Sequence, residues 1–160
     1  MIFVTVGTST QPFDRLVAGA APLTEMEKVV VQYGASAIRP AGAECVAFLE
    51  YAEMLDHMRD ARAVVTHAGV GSIMAALSVG KRPFVVPRRR DLGEAVDDHQ
   101  LELATRLEKA GLVALITDPA GLAGALAGAQ PAPPSENGKA NALAEDLRAY
   151  LESAALSSLD

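Results

Sequence analysis

The chain has 160 residues, 50% of them hydrophobic, and a formal net charge of −6. This length suits one domain with a sizeable core, whereas the acidic balance argues against nucleic-acid binding, which needs a clustered basic surface. The single cysteine excludes an intrachain disulfide, and no apolar run approaches the roughly 20 residues of a membrane span, so we expect a cytoplasmic protein.

Short apolar runs rich in β-branched residues alternate with amphipathic helical patterns along the first 127 residues. Strands are predicted at residues 2–6, 28–33, 46–48, 63–66, 83–87 and 112–116. Helices are predicted at residues 12–20, 51–60, 73–79 and 99–110, with a short one from residue 118. Near-continuous apolar strands are typical of parallel sheets covered on both faces. The alternation therefore predicts an α/β fold, a doubly wound, mostly parallel, Rossmann-like sheet of about six strands.

The composition changes after residue 127 and divides the chain into three parts. Residues 1–127 form the predicted Rossmann-like domain. Residues 128–139 are expected to be a flexible linker rich in proline and glycine. Residues 140–160 are predicted to contain a C-terminal helix with leucines on one face, which packs either on the domain or on a partner chain.

Residues 64–72 read Val-Val-Thr-His-Ala-Gly-Val-Gly-Ser, which predicts a buried strand, a glycine turn and the start of a helix. Gly69 and Gly71 permit positive φ and allow a ligand to approach the backbone, and Ser72 is expected to cap the helix. The first N–H groups of a helix lack intrahelical partners and lie at the positive end of its dipole. These residues and Val70 are therefore candidates for binding a phosphate. A glycine turn that only packs closely is the alternative.

Further polar residues follow strands whose carboxyl ends meet at one end of the predicted sheet, where α/β proteins bind ligands. Gly7 and Thr8 follow the first strand, with ordinary helix capping as the alternative role. His67 precedes the glycine turn, where it can donate to a phosphate oxygen or be satisfied by neighbouring backbone. His99 and Gln100 open a later helix. The glutamine suits sugar hydroxyls, and a solvated first turn is the alternative.

Three consecutive arginines, Arg88 to Arg90, follow the fifth predicted strand beside the candidate anion site. They could neutralise a diphosphate, which makes Arg88 a candidate substrate-binding residue, or contact anionic lipid headgroups. They could also pair with Asp91 and Glu94, as we expect for at least one of them. The histidines and the cysteine lack the spacing of metal ligands, so we expect no metal site.

Several motifs, in this order, resemble the family-28 glycosyltransferase C-terminal domain over most of residues 1–117. They lie at residues 4–8, 13–17, 67–72, 80–81, 85–88 and 98–101. More narrowly, the chain resembles the small subunit of two-chain transferases. These include the eukaryotic enzyme that adds the second N-acetylglucosamine to dolichol diphosphate and bacterial exopolysaccharide subunits of the PssE type.

This resemblance implies the C-terminal, nucleotide-sugar-binding half of a GT-B enzyme, with a UDP-sugar as donor and neither metal nor cofactor. It implies that the loop after the first strand and the glycine turn hold the diphosphate and that His67 contacts phosphate and stabilises the leaving group. It also implies that His99 and Gln100 bind the hexose. Many relatives carry a glutamate for the ribose hydroxyls where this chain has Ala75.

The resemblance also implies a partner, because GT-B enzymes need a second Rossmann-like domain for the acceptor. A membrane-associated, acceptor-binding subunit of the PssD type would supply it, so we expect the chain alone to be nearly inactive, with a homodimer in isolation as another option. The pair would move a hexose from a UDP-sugar to a lipid-linked acceptor, a polyprenyl-diphosphate-linked saccharide, in polysaccharide biosynthesis. The chain would then be peripheral to the cytoplasmic face of the inner membrane through its partner.

Two other functions remain open at this point. One is a non-catalytic nucleotide-sugar-binding module. The other is a UDP-sugar epimerase-like half, an enzyme that needs acidic catalytic residues in its cleft, for which Asp97 and Asp98 are the available candidates.

Overall fold

The structure, a computed structural model, describes residues 1–128, where six strands form one sheet. The predicted C-terminal helix and all of the predicted linker except its first residue lie outside the described residues. All neighbouring strands are parallel, in the order β3-β2-β1-β4-β5-β6. The strands are β1 (Ile2–Thr5), β2 (Val29–Gln32), β3 (Glu44–Val46), β4 (Ala63–His67), β5 (Phe84–Val86) and β6 (Ala114–Leu115).

Helices accompany the strands throughout the described chain. The α-helices are α1 (Asp14–Gly19), α2 (Tyr51–Asp60), α3 (Val70–Ser78), α4 (His99–Lys109) and α5 (Leu122–Ala127), and 3₁₀ turns lie at Ala21–Glu25, Arg90–Leu92 and Pro119–Gly121. The strand order is that of a doubly wound sheet, so the predicted Rossmann-like α/β fold is confirmed. None of the helices within residues 1–128 combines the length and the apolar character needed to cross a membrane.

Both faces of the sheet are buried because successive strand residues point to opposite sides and helices cover each side. On one face, Ile2 and Val4 of β1 pack in a cluster that includes residues of α1 and α5. On the other face, Phe3 packs in a cluster with Met58 of α2 and Ala76 of α3. Leucines of α4 form a further cluster beside α3. The strands are therefore apolar at nearly every position because both of their faces are buried.

The third strand lies at Glu44–Val46, earlier than the predicted residues 46–48. It pairs with β2 so that Val30 faces Glu44 and Gln32 faces Val46. The apolar run ending at Phe48 suggested a buried strand, but β3 borders the sheet, where pairing rather than burial fixes the register. Phe48 lies beyond the strand and is 57% exposed.

The strand order reverses between β1 and β4, and this reversal places two loops side by side. Thr5 at the end of β1 pairs with Thr66 near the end of β4, and β5 follows on the far side of β4. Open α/β sheets bind ligands in the crevice at such a switch point. We call the chain that leaves β1, β4 and β5 here, residues 6–13, 67–72 and 87–100, the carboxyl rim.

The last residue of α1, Gly19, packs tightly against the 3₁₀ turn at Pro119–Gly121. A Cβ at Gly19 would lie 2.4 Å from Pro119 Cβ and 3.1 Å from the Pro119 carbonyl oxygen. Because backbone must move to relieve this contact, we expect Gly19→Ala to lower the free energy of unfolding by about 1–3 kcal/mol, with a fall in Tm of about 3 °C per kcal/mol. Urea and thermal unfolding of the full chain measure both quantities.

Gly124→Ala is the matched control for this substitution. A Cβ at Gly124 would meet no atom within 4 Å, and alanine in a helix is favoured over glycine by about 1 kcal/mol. Equal stability of the two variants would contradict the close packing of α1 on the turn.

Candidate functional site

Helix α3 begins at the carboxyl rim, two residues after β4 ends. Its N-cap is Gly69, and its first hydrogen bond runs from the Ile73 N–H to the Gly69 carbonyl, 3.1 Å away. The N–H groups of Val70, Gly71 and Ser72 precede that bond and have no hydrogen-bond acceptor within the described part of the chain. Since these donors lie at the positive end of the helix dipole, they can bind an anion.

The structure corrects two expectations about this turn. Ser72 is the third residue of α3 and does not cap it, and no side chain caps this helix. The helix starts early because β4 extends to His67 and leaves only two residues for the connection. Neither Gly69 nor Gly71 has a positive φ; beside this turn, Gly7 is the glycine in the left-handed region, at φ 76°.

The imidazole of His67 lies against two glycines of the carboxyl rim. A Cβ at Gly7 would lie 2.3 Å from His67 Cε1, and a Cβ at Gly69 would lie 2.1 Å from His67 Nε2. Both positions therefore need glycine because the imidazole fills the space a side chain would take. A Cβ at Gly71, by contrast, would meet nothing within 4 Å. Close packing thus explains Gly69, while the uncovered N–H groups remain available at the same turn.

Burial lowers the pKa of His67 to about 4, and the positive charge of Arg88 adds to this effect. The imidazole is consequently neutral at pH 7, and one ring nitrogen carries the single N–H. Its Nδ1 lies 3.4 Å from the Thr66 hydroxyl. A charge-assisted hydrogen bond from a protonated His67 is therefore not available at neutral pH, whereas a neutral donor or acceptor is.

A buried polar network that the sequence did not reveal fixes the turn at Gly7. The Gly7 N–H donates to Thr5 Oγ1 over 3.1 Å, and that hydroxyl donates to Gln32 Oε1 in a short hydrogen bond. The Gln32 amide returns a bond to the Gly7 carbonyl at 3.4 Å. The signal that could have indicated it is a polar residue at the end of each of two otherwise apolar strands. Thr8 follows this turn and is exposed.

The start of α4 carries the predicted sugar-binding pair. Gln100 Oε1 accepts the Arg88 N–H at 3.1 Å, which leaves the amide NH₂ as a donor pair at the carboxyl rim. His99 is exposed, its N–H bonds to Asp97 Oδ1 at 3.1 Å, and its ring lies 3.8 Å from the other Asp97 oxygen. Asp97, one of the two acids considered for an epimerase, is thereby engaged in holding the start of α4.

The three consecutive arginines have different environments. Arg89 forms an exposed ion pair with Asp91 at 2.5 Å, and its backbone N–H donates to Glu94 Oε2 at 3.0 Å. The expected pairing of one arginine with these acids is therefore confirmed. Arg88, in contrast, is 2% exposed, and its guanidinium donates to backbone carbonyls of the carboxyl rim. Its predicted contact with a diphosphate would compete with those bonds.

One ion pair beneath the rim was not anticipated from the sequence. Arg15 binds both oxygens of Glu94, Nε to Oε1 at 2.8 Å and Nη2 to Oε2 at 2.9 Å. Arg15 also donates to the Pro87 carbonyl at 2.9 Å. These bonds join α1 to the chain that leaves β5. No signal in the sequence indicated this ion pair because Arg15 and Glu94 are 79 positions apart.

Within residues 1–128, no group of three or more His, Cys, Asp and Glu side chains could hold a metal ion. That the nucleotide-sugar binds without a metal stays a prediction.

The model of the glycosyltransferase family 28 C-terminal domain matches residues 1–151 of this chain. The chain belongs to this family. Among its relatives, the human (Homo sapiens) UDP-N-acetylglucosamine transferase subunit ALG13 is 32% identical over 123 residues, which cover 69% of this family-28 chain and 10% of the human protein. The ALG13 subunit of Yarrowia lipolytica is 32% identical over 122 residues, which cover 67% and 60% of the respective chains. The chain thus spans less than two thirds of either relative.

Solved glycosyltransferases share the fold of this family-28 chain. The glycotransferase of kitacinnamycin matches with a TM-score of 0.63 and 19% identity, over 92% of this chain and 39% of that one. CalG4, the calicheamicin glycosyltransferase, matches with a TM-score of 0.57 and 16% identity, over 96% and 44%. At such identities the likeness concerns the fold alone, which is that of one half of a GT-B glycosyltransferase.

All of the predicted site residues of this family-28 domain belong to the segments of the carboxyl rim. The imidazole of His67 lies against both Gly7 and Gly69, and the Arg88 backbone N–H bonds to the Gln100 side chain. The contacts of these residues with a donor stay predictions.

The seating of the imidazole can be tested by Gly69→Ala. The new methyl group would overlap His67, which also lies against Gly7, so we expect a loss of about 1–3 kcal/mol in unfolding free energy and displaced imidazole NMR resonances. Gly71→Ala is the control, since its methyl group would meet nothing. Unchanged stability and unchanged imidazole resonances in Gly69→Ala would refute the contact.

The depressed pKa of His67 predicts a pH dependence of stability. The unfolded chain protonates this imidazole below about pH 6.5, but the folded chain does so only near pH 4, so the unfolded state binds more protons between these values. The stability that neutral His67 contributes is full above this window and is lost as pH falls through it, by up to about 3 kcal/mol. Urea unfolding of wild type and His67→Gln across the window measures the difference, and parallel pH profiles would contradict it.

Proposed function

We propose that this chain binds the nucleotide-sugar donor of a two-component glycosyltransferase. The observation that carries the proposal is the row of three uncovered N–H groups, from Val70 to Ser72, at the switch point of the sheet. A diphosphate is the anionic part of a nucleotide-sugar, and helix starts bind such groups through N–H donors and the helix dipole.

The surroundings of these N–H groups suit the diphosphate of UDP, the group that leaves when the sugar is transferred. Gly71 is exposed and leaves open space where a side chain would project, so a ligand can approach the helix start. Neutral His67 lies against Gly69, the N-cap residue of α3, and against the turn at Gly7. Fixed donors of this kind stabilise the charge that develops on a leaving group without reorganising. His67 is therefore proposed to stabilise the leaving phosphate as a neutral hydrogen-bonding group.

Gln100 and His99 are proposed to contact the hexose. With Gln100 Oε1 bonded to the Arg88 N–H, the remaining amide hydrogens are directed donors for sugar hydroxyls. His99 stands exposed at the same helix start. The names of the ALG13 relatives support UDP-N-acetylglucosamine as the first donor to test.

The acceptor is proposed to bind a second protein. The ALG13 relatives are named as subunits of a transferase, and the similar solved glycosyltransferases are more than twice as long as the part this chain matches. We propose a membrane-associated, acceptor-binding partner of the PssD type, with a polyprenyl-diphosphate-linked saccharide as acceptor. The chain would then work at the inner membrane face through that partner and transfer a hexose there.

Binding of UDP to the start of α3 is tested by Gly71→Asp. The new carboxylate would stand where the diphosphate is proposed to lie, and like charges at close range repel. We expect UDP and UDP-N-acetylglucosamine to bind the wild-type chain and to bind the variant at least about tenfold more weakly, equivalent to about 1.4 kcal/mol. Isothermal titration calorimetry measures both affinities.

Gly121→Asp is the matched control, because it adds the same charge at an open position away from the carboxyl rim. Equal affinities of Gly71→Asp and wild type would remove the helix start from the site. Co-expression with the partner and a radiolabelled donor then separates two functions. Turnover only in the complex supports the transferase subunit, whereas donor binding without turnover in any complex supports the non-catalytic module.

A further inference from the structure

The side chain of Arg88 is buried within the carboxyl rim and is bonded near both ends of one loop. Its Nη2 donates to the Val6 carbonyl at 3.3 Å, and its Nη1 donates to the carbonyls of Gln11 and Pro12, each at 3.1 Å. Val6 precedes the turn at Gly7, and Pro12 lies directly before Phe13, the N-cap residue of α1. One guanidinium therefore fixes the span of residues 7–11.

The same residue connects this loop to the other side of the carboxyl rim. Arg88 Nη1 also donates to the Glu94 carbonyl at 3.3 Å, and the Arg88 backbone N–H donates to Gln100 Oε1 at 3.1 Å. The Glu94 carboxylate is in turn held by Arg15 of α1. The loop after β1, the loop after β5 and the start of α4 are thus joined through Arg88.

Stability alone is a poor reason to bury this guanidinium. Desolvation lowers the pKa of Arg88, against the opposing effect of Glu94, and its Nε has no hydrogen-bond partner within residues 1–128. Taking a guanidinium out of water is expensive, and the hydrogen bonds that it gains must first offset this desolvation. The contact with the Phe13 ring, 4.6 Å from Arg88 Cζ, could be made by an apolar side chain as well. What only the guanidinium supplies is several donors in one rigid plane.

We propose that Arg88 is a positioning residue for donor binding. It holds the loop of residues 7–11 and the Gln100 side chain in the arrangement that admits the diphosphate and the sugar, without touching either. This inference rests on the proposed function and adds to it the residue that holds the binding loop and the Gln100 side chain in place. Lysine cannot replace Arg88 here, because its single nitrogen cannot bond to Val6 and Pro12 together in the same plane.

Arg88→Lys tests the proposal in the full chain. Residue-resolved amide exchange is measured without ligand at Gly7 and Phe13, whose N–H groups are bonded to Thr5 Oγ1 and Ser36 Oγ. We expect exchange at both amides to be at least about tenfold faster than in wild type, because the bonds that hold the loop ends are reduced. UDP and UDP-N-acetylglucosamine should bind at least about tenfold more weakly by calorimetry.

The affinities are compared at a temperature where unfolding curves show both proteins fully folded, so that a merely structural role would leave them unchanged. Arg89→Lys is the matched control, because the neighbouring arginine pairs with Asp91 at the surface, and it should alter neither exchange nor affinity. Should Arg88→Lys not fold, Arg88→Met removes the charge while keeping an apolar stem. Loss of folding in both variants would assign Arg88 to stability and overturn the proposal.

Unchanged exchange at Gly7 and Phe13 in a folded Arg88 variant would also overturn it, as would faster exchange with unchanged UDP affinity. Failure of the proposed function has a different signature. If the wild-type chain binds neither UDP nor UDP-N-acetylglucosamine, the donor site itself is refuted. The exchange measured without ligand then still decides whether Arg88 holds the loop.

Discussion

The imidazole of His67 occupies the point where the two halves of the sheet meet, and the turns around it are shaped to its outline. The parallel pairing of β1 with β4 brings the turn at Gly7 beside His67, and the short connection to α3 brings Gly69 against the same ring. Side chains at these two glycines would collide with the ring. The first N–H groups of α3 begin at this packed turn, and no side chain caps them, so a close packing contact and a candidate anion site lie side by side.

The positive character of this site comes from two sources at different depths. The start of α3 contributes partial charges of backbone N–H groups, and the buried side chain of Arg88 contributes a full charge within the carboxyl rim. Burial and this nearby charge keep His67 neutral at pH 7. For a chain of net charge −6, the attraction that we propose for a diphosphate is therefore local and depends on these two nearby sources rather than on the overall field.

The sequence predicted those features of the fold that depend on residues close together in the chain. Alternating strands and helices, the α/β class and the location of the polar loops follow from periodicity and turn residues. The third strand lies two residues earlier than predicted because it borders the sheet, where pairing with β2 outweighs apolar character. Ser72 was expected to cap α3, but the end of β4 at His67 fixed the helix start earlier.

The arrangement beneath the carboxyl rim could not be predicted in this way. Three consecutive arginines give the same signal, yet Arg88 is buried while Arg89 is paired at the surface. The difference arises from carbonyls that lie 76 to 82 positions from Arg88 in the chain. Such acceptors become neighbours only once β1 and β5 flank β4. Gly7 was likewise expected beside a ligand. In the structure, residue 7 must be glycine because the His67 ring lies against it, and that contact forms only in the folded sheet.

The two bordering strands of the described sheet carry a consequence for how copies of the chain meet. β3 has three residues and β6 has two, so each border offers few unpaired main-chain groups to a foreign strand. On β3, Glu44 forms an ion pair with Lys28 at 2.9 Å, which adds charge to that border. Short, charged borders discourage lateral growth of a sheet from one molecule to the next. Within residues 1–128, the sheet thus offers little edge for a strand of a second copy to extend.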